Sequence, residues 1–183
     1  MALAATIFKA DVDLSDIDRH YYQHHALTLA RHPSETSERM MVRLLAFLAH
    51  ADEQLKFTRG LSETSEPDLW LKDLTGRTGR WIEVGMPDAR RLTQASGRAD
   101  QVVVYAYGRQ AQLWWKQTEK AVERLANLAV YLLPTTFTQV LAEMAERSMR
   151  MVCTIQDGQL YLASGEKTID VDILSCRVRQ TIS

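Results

Sequence analysis

Residues 67–85 read PDLWLKDLTGRTGRWIEVG, in which two alternating runs of apolar and polar residues flank a glycine-containing turn. Alternation with a period of two is typical of β-strands that bury one face. We therefore predict strands over Pro67 to Asp73 and Arg80 to Met86, joined as a hairpin whose turn centres on Thr75-Gly76.

The two predicted strands place acidic residues on one face of the sheet. Alternate residues of a strand share a face, so burial of the aliphatic residues on one side leaves Asp68, Lys72 and Glu83 on the other. With the turn at Thr75-Gly76, Asp68 lies directly across from Glu83, and their Cβ atoms are about 5 Å apart. Like charges at that distance are unfavourable unless a cation lies between them.

A helix before the hairpin contributes a third acidic residue. Ser34 is the expected N-cap, because acidic residues follow it in the first turn. The apolar positions then recur at helical spacing up to about His50: Met41, Leu44, Leu45 and Leu48. Glu38 falls on this buried face, where a carboxylate needs a hydrogen bond, an ion pair or a metal ion.

The three carboxylates suggest a divalent-metal site, and the residues alone leave a second explanation open. Asp68 and Glu83 from the strands, with Glu38 from the helix, form the all-oxygen ligand set that Mg²⁺ or Mn²⁺ prefers. Alternatively, Asp68 is an ordinary solvated acid at the start of a strand, and Glu83 pairs with Arg80 or Lys72.

The remaining elements predict a mixed α/β fold, a mixed sheet with flanking helices. From residue 34 the order is helix, three strands, helix, strand, with additional strands before and after. Further strands are predicted near residues 6–14, 21–30, 55–60, 101–107, 127–133, 149–155, 160–163 and 169–173. Further helices are predicted over residues 88–97, around residues 114–115 and over residues 135–145.

Composition excludes several classes of protein. The chain has 183 residues, 46% of them apolar and 25% charged, which is typical of a single globular domain over residues 1–183. The formal net charge of −1 gives no overall attraction to nucleic acid or anionic lipid. Two cysteines, no signal-like start and no apolar run of about 18 residues predict a cytoplasmic protein without a membrane partner.

One segment of the chain is nevertheless basic. Between residues 72 and 98, six basic residues accompany three acidic ones: Lys72, Arg77, Arg80, Arg90, Arg91 and Arg98, against Asp73, Glu83 and Asp88. Such a patch positions a phosphate backbone, although a solvated charged face has the same composition. The segment is therefore compatible with nucleic acid as a partner and equally with a plain solvated face, and the sequence identifies no protein partner.

Several long motifs resemble those of the bacterial YaeQ family. They are LTLARHPSET (residues 27–36), ERMM (38–41), FTRGL (57–61), Glu66-Pro67, and WIEVG (81–85) followed by Pro87-Asp88. YaeQ proteins are similar in fold to the PD-(D/E)XK nucleases, whose restriction-endonuclease-like core is helix, three strands, helix, strand. The resemblance covers nearly the whole chain and implies that core with extra strands at both ends.

The resemblance implies a role for each acidic residue. Pro67-Asp68 resembles the PD element, Glu83 resembles the (D/E) position, and Glu38 resembles the acid supplied by the first helix. In that superfamily the carboxylates hold a divalent cation, here Mg²⁺ or Mn²⁺, helped by the carbonyl of the residue after the second acid, Val84. Such a cation polarises a phosphodiester and lowers the pKa of an attacking water.

The lysine of the nuclease motif is missing from this sequence. It should follow Glu83 by two residues, where the chain has Gly85. Lys72, on the strand face of the first acid, and Arg90 and Arg91, in the first turn of the next helix, are candidates to supply the charge. An arginine stays protonated and acts only electrostatically.

Two functions follow from this pattern. The first is a metal-dependent, nuclease-like phosphodiester hydrolase that uses the three acids and one of the candidate cations. The second is a non-catalytic module that keeps the fold and binds nucleic acid or a protein, which Gly85 in the lysine position favours.

Overall fold

The computed structural model describes residues 3–182. Their strands are β1 (Thr6–Asp16), β2 (Tyr21–Arg31), β3 (Leu55–Phe57), β4 (Leu69–Lys72), β5 (Thr78–Val84), β6 (Ala99–Ala106), β7 (Leu128–Leu132), β8 (Ser148–Gln156), β9 (Gln159–Ser164), β10 (Lys167–Asp172) and β11 (Arg177–Arg179). Their α-helices are α1 (Ser37–Ala49), α2 (Ala89–Ser96), α3 (Ala111–Thr118), α4 (Thr135–Glu143) and α5 (Ile173–Cys176). A short 3₁₀ helix covers Gly60–Ser62.

The chain divides into two compact units, each with its own sheet. The first unit comprises the described chain up to Ala49 together with Thr136–Leu174, and the second comprises His50–Thr135 with the described residues from Ser175 onward. Both sheets contain parallel and antiparallel pairs. The predicted mixed α/β class is therefore confirmed, but the prediction of one sheet is wrong.

The sheet of the first unit has five strands in the order β10-β9-β8-β1-β2. Only the pair of β1 with β8 is parallel, and all the other pairs are antiparallel. Along β1 the side chains of Ala10, Val12 and Leu14 are buried, whereas Asp11 and Asp13 lie on the more exposed face. The alternation that predicted this strand therefore corresponds to one buried face and one polar face.

Asp157 and Gly158 form the turn between β8 and β9. Both residues have positive φ angles, 53° for Asp157 and 75° for Gly158, which a two-residue hairpin of type I′ requires. On β8, Cys153 is fully buried, and burial raises the pKa of its thiol to about 12. This thiol is therefore an apolar core side chain rather than a nucleophile.

Helix α1 begins later than predicted and is buried on every side. The Thr36 hydroxyl accepts a hydrogen bond from the backbone N–H of Arg39 at 3.1 Å, so Thr36 performs the capping that we predicted for Ser34. The Ser34 hydroxyl is instead 2.6 Å from His32 Nδ1, within the turn before the helix. The residues from Met40 to Leu48 are all buried, including the predicted inward positions.

The sheet of the second unit has six strands in the order β11-β7-β6-β5-β4-β3. The pairs β3–β4 and β4–β5 are antiparallel, the pairs β5–β6 and β6–β7 are parallel, and β11 is antiparallel to β7. The register of the β4–β5 hairpin pairs Leu69 with Ile82 and Trp70 with Trp81, as the sequence predicted. A register shift follows Leu71, so that Lys72 pairs with Thr78.

Helices α2 and α3 cover the face of this sheet that carries Trp81. Its core side chains are Trp81, Leu92, Ala95, Val102, Val104, Ala106, Ala111, Trp115, Val122, Leu128 and Val130. Because Ile82 and Val84 are also buried, both faces of β5 are covered. The two acidic residues predicted on the Trp81 face consequently lie in a buried layer rather than at a solvated surface.

The part of the chain after β10 was not predicted. The last predicted strand corresponds to β10, and α5 and the short edge strand β11 follow it. No helix among residues 3–182 combines the length and the apolar character that a membrane crossing requires.

Candidate functional site

Asp68 lies immediately before β4 and is held against the end of β5. Its backbone N–H donates to the carbonyl of Ile82 at 3.0 Å, and its Oδ2 accepts a hydrogen bond from the backbone N–H of Val84 at 2.7 Å. The residue is only 3% exposed. The carbonyl of the preceding Pro67 accepts a hydrogen bond from the Thr58 hydroxyl, which fixes the chain where it enters the strand.

Glu83 lies on β5 and is 5% exposed. Its Oε1 accepts two hydrogen bonds of 2.7 Å, one from Trp81 Nε1 and one from Arg91 Nε. Within residues 3–182, no hydrogen bond reaches the second carboxylate oxygen, Oε2. The protein therefore orients the side chain through one of its two carboxylate oxygens.

Arg91 is held in place by its helix and by a neighbouring loop. The Asp88 side chain caps α2 by accepting a hydrogen bond from the Arg91 backbone N–H at 2.8 Å, as the sequence predicted for Asp88. The guanidinium donates from Nη1 to the Thr64 carbonyl at 2.6 Å and from Nη2 to the Glu66 carbonyl at 2.8 Å. These bonds aim Nε at Glu83.

The electrostatic environment raises the pKa of Glu83. Burial, which disfavours the charged carboxylate, is the largest cause, and the negative charge of Asp68 adds to it. The hydrogen bond from Trp81 and the positive charge of Arg91 act in the opposite direction but do not outweigh burial. A buried acid with a raised pKa and a defined cationic partner is typical of functional sites.

The raised pKa of Glu83 predicts a pH dependence of stability. Its contribution is fully present below the ordinary glutamate pKa of about 4.3 and is lost as the pH rises through the higher pKa of the folded state. We expect the free energy of unfolding of the wild type to fall relative to that of Glu83→Gln as the pH rises above about 4. Urea denaturation at a series of pH values measures this difference. The exposed Glu53→Gln provides the control, and a Glu83→Gln difference that does not change with pH would contradict the assignment.

Arg91 is the candidate cation that contacts Glu83 in the described chain. Lys72 Nζ lies 3.7 Å from the centre of the Trp70 ring, in a cation–π contact. Arg90 is exposed on α2. The structure therefore brings together Asp68, Glu83 and Arg91 from the predicted residues and gives Lys72 and Arg90 other surroundings.

The backbone conformation explains why a glycine stands in the lysine position. Gly85 has a φ of +113°, a region that L side chains rarely adopt, and its N–H donates to the Tyr105 carbonyl at 2.9 Å. A Cβ at this position would meet no atom within 4 Å, so the constraint is conformational rather than steric. A lysine at this position would strain the end of β5.

Glu38 belongs to the first unit and has a partner there. Its Oε1 accepts a hydrogen bond of 2.7 Å from the hydroxyl of Thr138, a fully buried residue on α4. This bond satisfies one oxygen of the partly buried carboxylate. Within residues 3–182, no group of three or more His, Cys, Asp or Glu side chains has the arrangement of a metal site. The joint role of Glu38, Asp68 and Glu83 stays a prediction.

Sequence reasoning missed a buried ion-pair cluster in the first unit. Arg43 donates from Nε and Nη2 to the two carboxylate oxygens of Glu35, both at 2.8 Å, and Arg39 Nη1 donates to Glu35 at 3.0 Å. Arg43 Nη2 also donates to the Ala30 carbonyl at 3.1 Å. The available signal was an arginine within the apolar run of α1, because a buried arginine needs an acidic partner.

The fold and the site define a mixed α/β protein with two mixed sheets and a buried pair of acids beside an arginine. Residues 1–173 match the family described as YaeQ protein. The chain belongs to the YaeQ family. It is 46% identical over 174 residues to a YaeQ protein of Salmonella typhi and 44% identical to one of Escherichia coli strain K12, with 94% of this chain and 96% of each relative covered.

Solved structures agree with this assignment. The crystal structure of YaeQ protein from Xanthomonas axonopodis pv. citri matches with a TM-score of 0.90 at 42% identity, covering 98% of this chain and 99% of that chain. The crystal structure of YaeQ protein from Pseudomonas syringae matches with a TM-score of 0.92 at 38% identity, covering 96% and 97%. The resemblance read from the sequence motifs is therefore confirmed at the level of the family.

Proposed function

We propose that this protein hydrolyses phosphodiester bonds in nucleic acid with a divalent cation held by Asp68 and Glu83. The observation that carries the proposal is the pair of buried carboxylates at the β4–β5 hairpin, close enough that the charge of Asp68 raises the pKa of Glu83. Burying two interacting acids is unfavourable unless they have a role or a counter-charge. Arg91 supplies one counter-charge, and a metal ion would supply more.

The order of elements supports a nuclease-like core. From α1 the chain runs through β3, β4, β5, α2 and β6, which is helix, three strands, helix, strand. We propose that these elements are a variant of the PD-(D/E)XK core, with Pro67-Asp68 and Glu83 in the motif positions.

The ligand set suits Mg²⁺ or Mn²⁺. Carboxylate oxygens are hard ligands, and Mg²⁺ is usually held by one or two carboxylates, with waters and substrate phosphates completing its coordination. Glu83 Oε2 is not used by the protein in the described chain, and the Val84 carbonyl follows it on the same strand. When bound, the cation would polarise the phosphodiester and make hydroxide available at neutral pH.

Arg91 would supply the positive charge that the lysine of the nuclease motif provides, because that lysine is missing here. Its guanidinium stays protonated, so it stabilises negative charge that develops at the phosphate and does not accept a proton from water. The exposed Arg90 and Arg98 extend the positive surface near α2 and would contact the phosphate backbone without reading the base sequence.

A second candidate function is a binding module without catalysis. The observation that favours it is that protein donors already occupy both acids: Trp81 and Arg91 bind Glu83, and the Val84 backbone binds Asp68. A site satisfied in this way needs no metal for its stability. The surface next to Asp68, Glu83 and Arg91 would then bind nucleic acid or a protein.

Metal titration tests the first candidate directly. We expect calorimetry to show Mg²⁺ or Mn²⁺ binding to the wild type and to the control Glu53→Gln, and binding at least about tenfold weaker to Glu83→Gln, the amount that loss of even an outer-sphere partner causes. Cleavage of single-stranded, duplex and branched DNA and of RNA is assayed with the same preparations.

The outcomes separate the two functions. Metal binding that depends on Glu83, with no cleavage of any substrate, would favour the binding module. Absence of metal binding to the wild type would overturn the hydrolase. Cleavage that survives in both Asp68→Asn and Glu83→Gln would come from a contaminant and would remove both acids from the catalytic role.

A further inference from the structure

Strand β2 is a long edge of the first sheet and is free of acidic and basic residues other than histidine up to its last position, Arg31. It has eleven residues and pairs with β1 along its whole length, and no strand of residues 3–182 pairs with its other side. Residues 21–30 (YYQHHALTLA) contain no Asp, Glu, Lys, Arg, Pro or Gly. Exposed edges of this kind are templates for pairing with another chain, and natural proteins usually block them with charges, prolines or short strands.

The other three sheet edges in the described chain are blocked in these ways. Strands β3 and β11 have three residues each. Strand β10 carries charged residues at three of its six positions: Lys167, Asp170 and Asp172. The absence of such devices along β2 therefore indicates an edge that is kept open.

Backbone hydrogen bonds show which groups of β2 face outward. The N–H groups of Lys9, within β1, and of Ile17, which follows it, donate to the β8 side. The backbone N–H and C=O groups of the odd-numbered residues of β1 therefore point toward β8, and those of the even-numbered residues point toward β2. The continuous pairing of β1 with β2 joins even-numbered to odd-numbered residues. The N–H and C=O groups of Tyr22, His24, Ala26 and Thr28 consequently point away from the sheet.

A second observation fixes the end of this open edge. The carbonyl of Ala30 also points outward, but it accepts a hydrogen bond from Arg43 of the same chain. The open set is therefore the four residues from Tyr22 to Thr28. The side chains of these four residues are exposed, so the edge is accessible.

We propose that β2 binds the β2 strand of a second copy of this chain, antiparallel, to form a continuous ten-stranded sheet. An antiparallel pair about a two-fold axis at His25 places Tyr22 opposite Thr28 and His24 opposite Ala26 of the partner. Every outward N–H and C=O of the four open residues then has a partner, and the Ala30 carbonyl keeps its hydrogen bond from Arg43. Because the open set is symmetric about His25, a second copy satisfies all of its backbone groups with none left over, which is the reason for proposing a second copy. The proposal does not depend on the proposed hydrolase.

The size of the contact sets the expected affinity. A single pair of edge strands buries less than the 1,200–2,000 Å² or so of a stable protein interface, so the dimer should dissociate on dilution. We expect a dissociation constant of about 10–100 µM.

Sedimentation of the full chain between about 10 and 500 µM tests the association. We expect a monomer–dimer equilibrium in the wild type and in the control Ala26→Ser, and a dissociation constant at least about tenfold higher in Ala26→Pro, which removes an outward N–H without breaking the β1 ladder. Ala26→Lys keeps the N–H but adds a charge and should weaken the dimer equally. A wild type that stays monomeric at about 500 µM, or a dimer that Ala26→Pro leaves unchanged, would overturn the proposal.

Disulfide trapping tests the register. His25 lies on the two-fold axis, opposite its own copy at a non-hydrogen-bonded position, where the Cα atoms are about 4.5 Å apart and within disulfide range. Oxidation of His25→Cys with diamide should therefore give a covalent dimer. Gln23→Cys, which faces Leu27 of the partner, should not. Equal cross-linking of both variants would overturn the register.

Discussion

Replacing Glu35 by alanine should lower the free energy of unfolding by about 3–5 kcal/mol at neutral pH, because it leaves the Arg43 guanidinium buried without its counter-ion. The side chains of Glu35 and Arg43 are 2% and 4% exposed and are joined by two hydrogen bonds of 2.8 Å. Arg39 would lose the same acceptor. Urea denaturation followed by far-UV circular dichroism measures the change.

Two further variants identify the cause of this loss. Glu146→Ala, at an exposed acid of the same unit, should change stability by less than about 0.5 kcal/mol. The double variant Glu35→Leu with Arg43→Met should recover most of the loss, because apolar residues of similar volume often replace a buried ion pair at little cost. A Glu35→Ala loss below about 1 kcal/mol would show that the pair contributes no more than a surface salt bridge.

For the proposed hydrolase, replacing Arg91 by leucine should weaken cleavage by about 10²–10³-fold, the usual effect of removing one group that stabilises developing charge. The same change should strengthen Mn²⁺ binding, because the Arg91 Nε lies only 2.7 Å from Glu83 Oε1 and its charge competes with a cation. The two opposite effects distinguish an electrostatic role in hydrolysis from a structural one. Calorimetry and cleavage assays on the same preparation measure them.

Arg124→Leu is the matched control, since Arg124 is an exposed arginine of the same unit. Arg91→Lys should be intermediate, because it keeps the charge but loses the rigid fork that binds the Thr64 and Glu66 carbonyls. If Arg91→Leu leaves both cleavage and metal affinity as in the wild type, the Arg91–Glu83 pair serves the fold alone.

The hairpin at the site was predictable because its information is local. The alternation in residues 67–85 and the Thr75-Gly76 turn together determine which residues face each other, and the observed pairs of Leu69 with Ile82 and Trp70 with Trp81 follow from them. Asp88 likewise marked the start of α2 and thereby the position of Arg91. The choice of Arg91 over Lys72 was not predictable, because it depends on the carbonyls of a distant loop.

Contacts between distant segments account for most of what the sequence did not reveal. The pairing of β1 with β8 joins strands that lie on either side of residues 50–135, the longer segment of the second unit. The sequence of neither strand indicates which strand it pairs with. Two sheets instead of one follow from this pairing. The predicted N-cap of α1 was wrong for a local reason. Ser34 and Thr36 are both suitable N-cap residues, but the Ser34 hydroxyl contacts His32 in the turn before the helix, and Thr36 caps the helix instead.

The β1–β8 pairing also has a consequence for biosynthesis. Once the ribosome has made the β1–β2 hairpin, it must add roughly 125 further residues before β8, the partner of the other edge of β1, is complete. This takes roughly 6–25 s at the usual elongation rate of 5–20 residues per second. Meanwhile β3 to β7 emerge and have most of their own partners nearby in sequence. We therefore expect the inserted segment to acquire structure on the nascent chain first, while the N-terminal hairpin is exposed to chaperones.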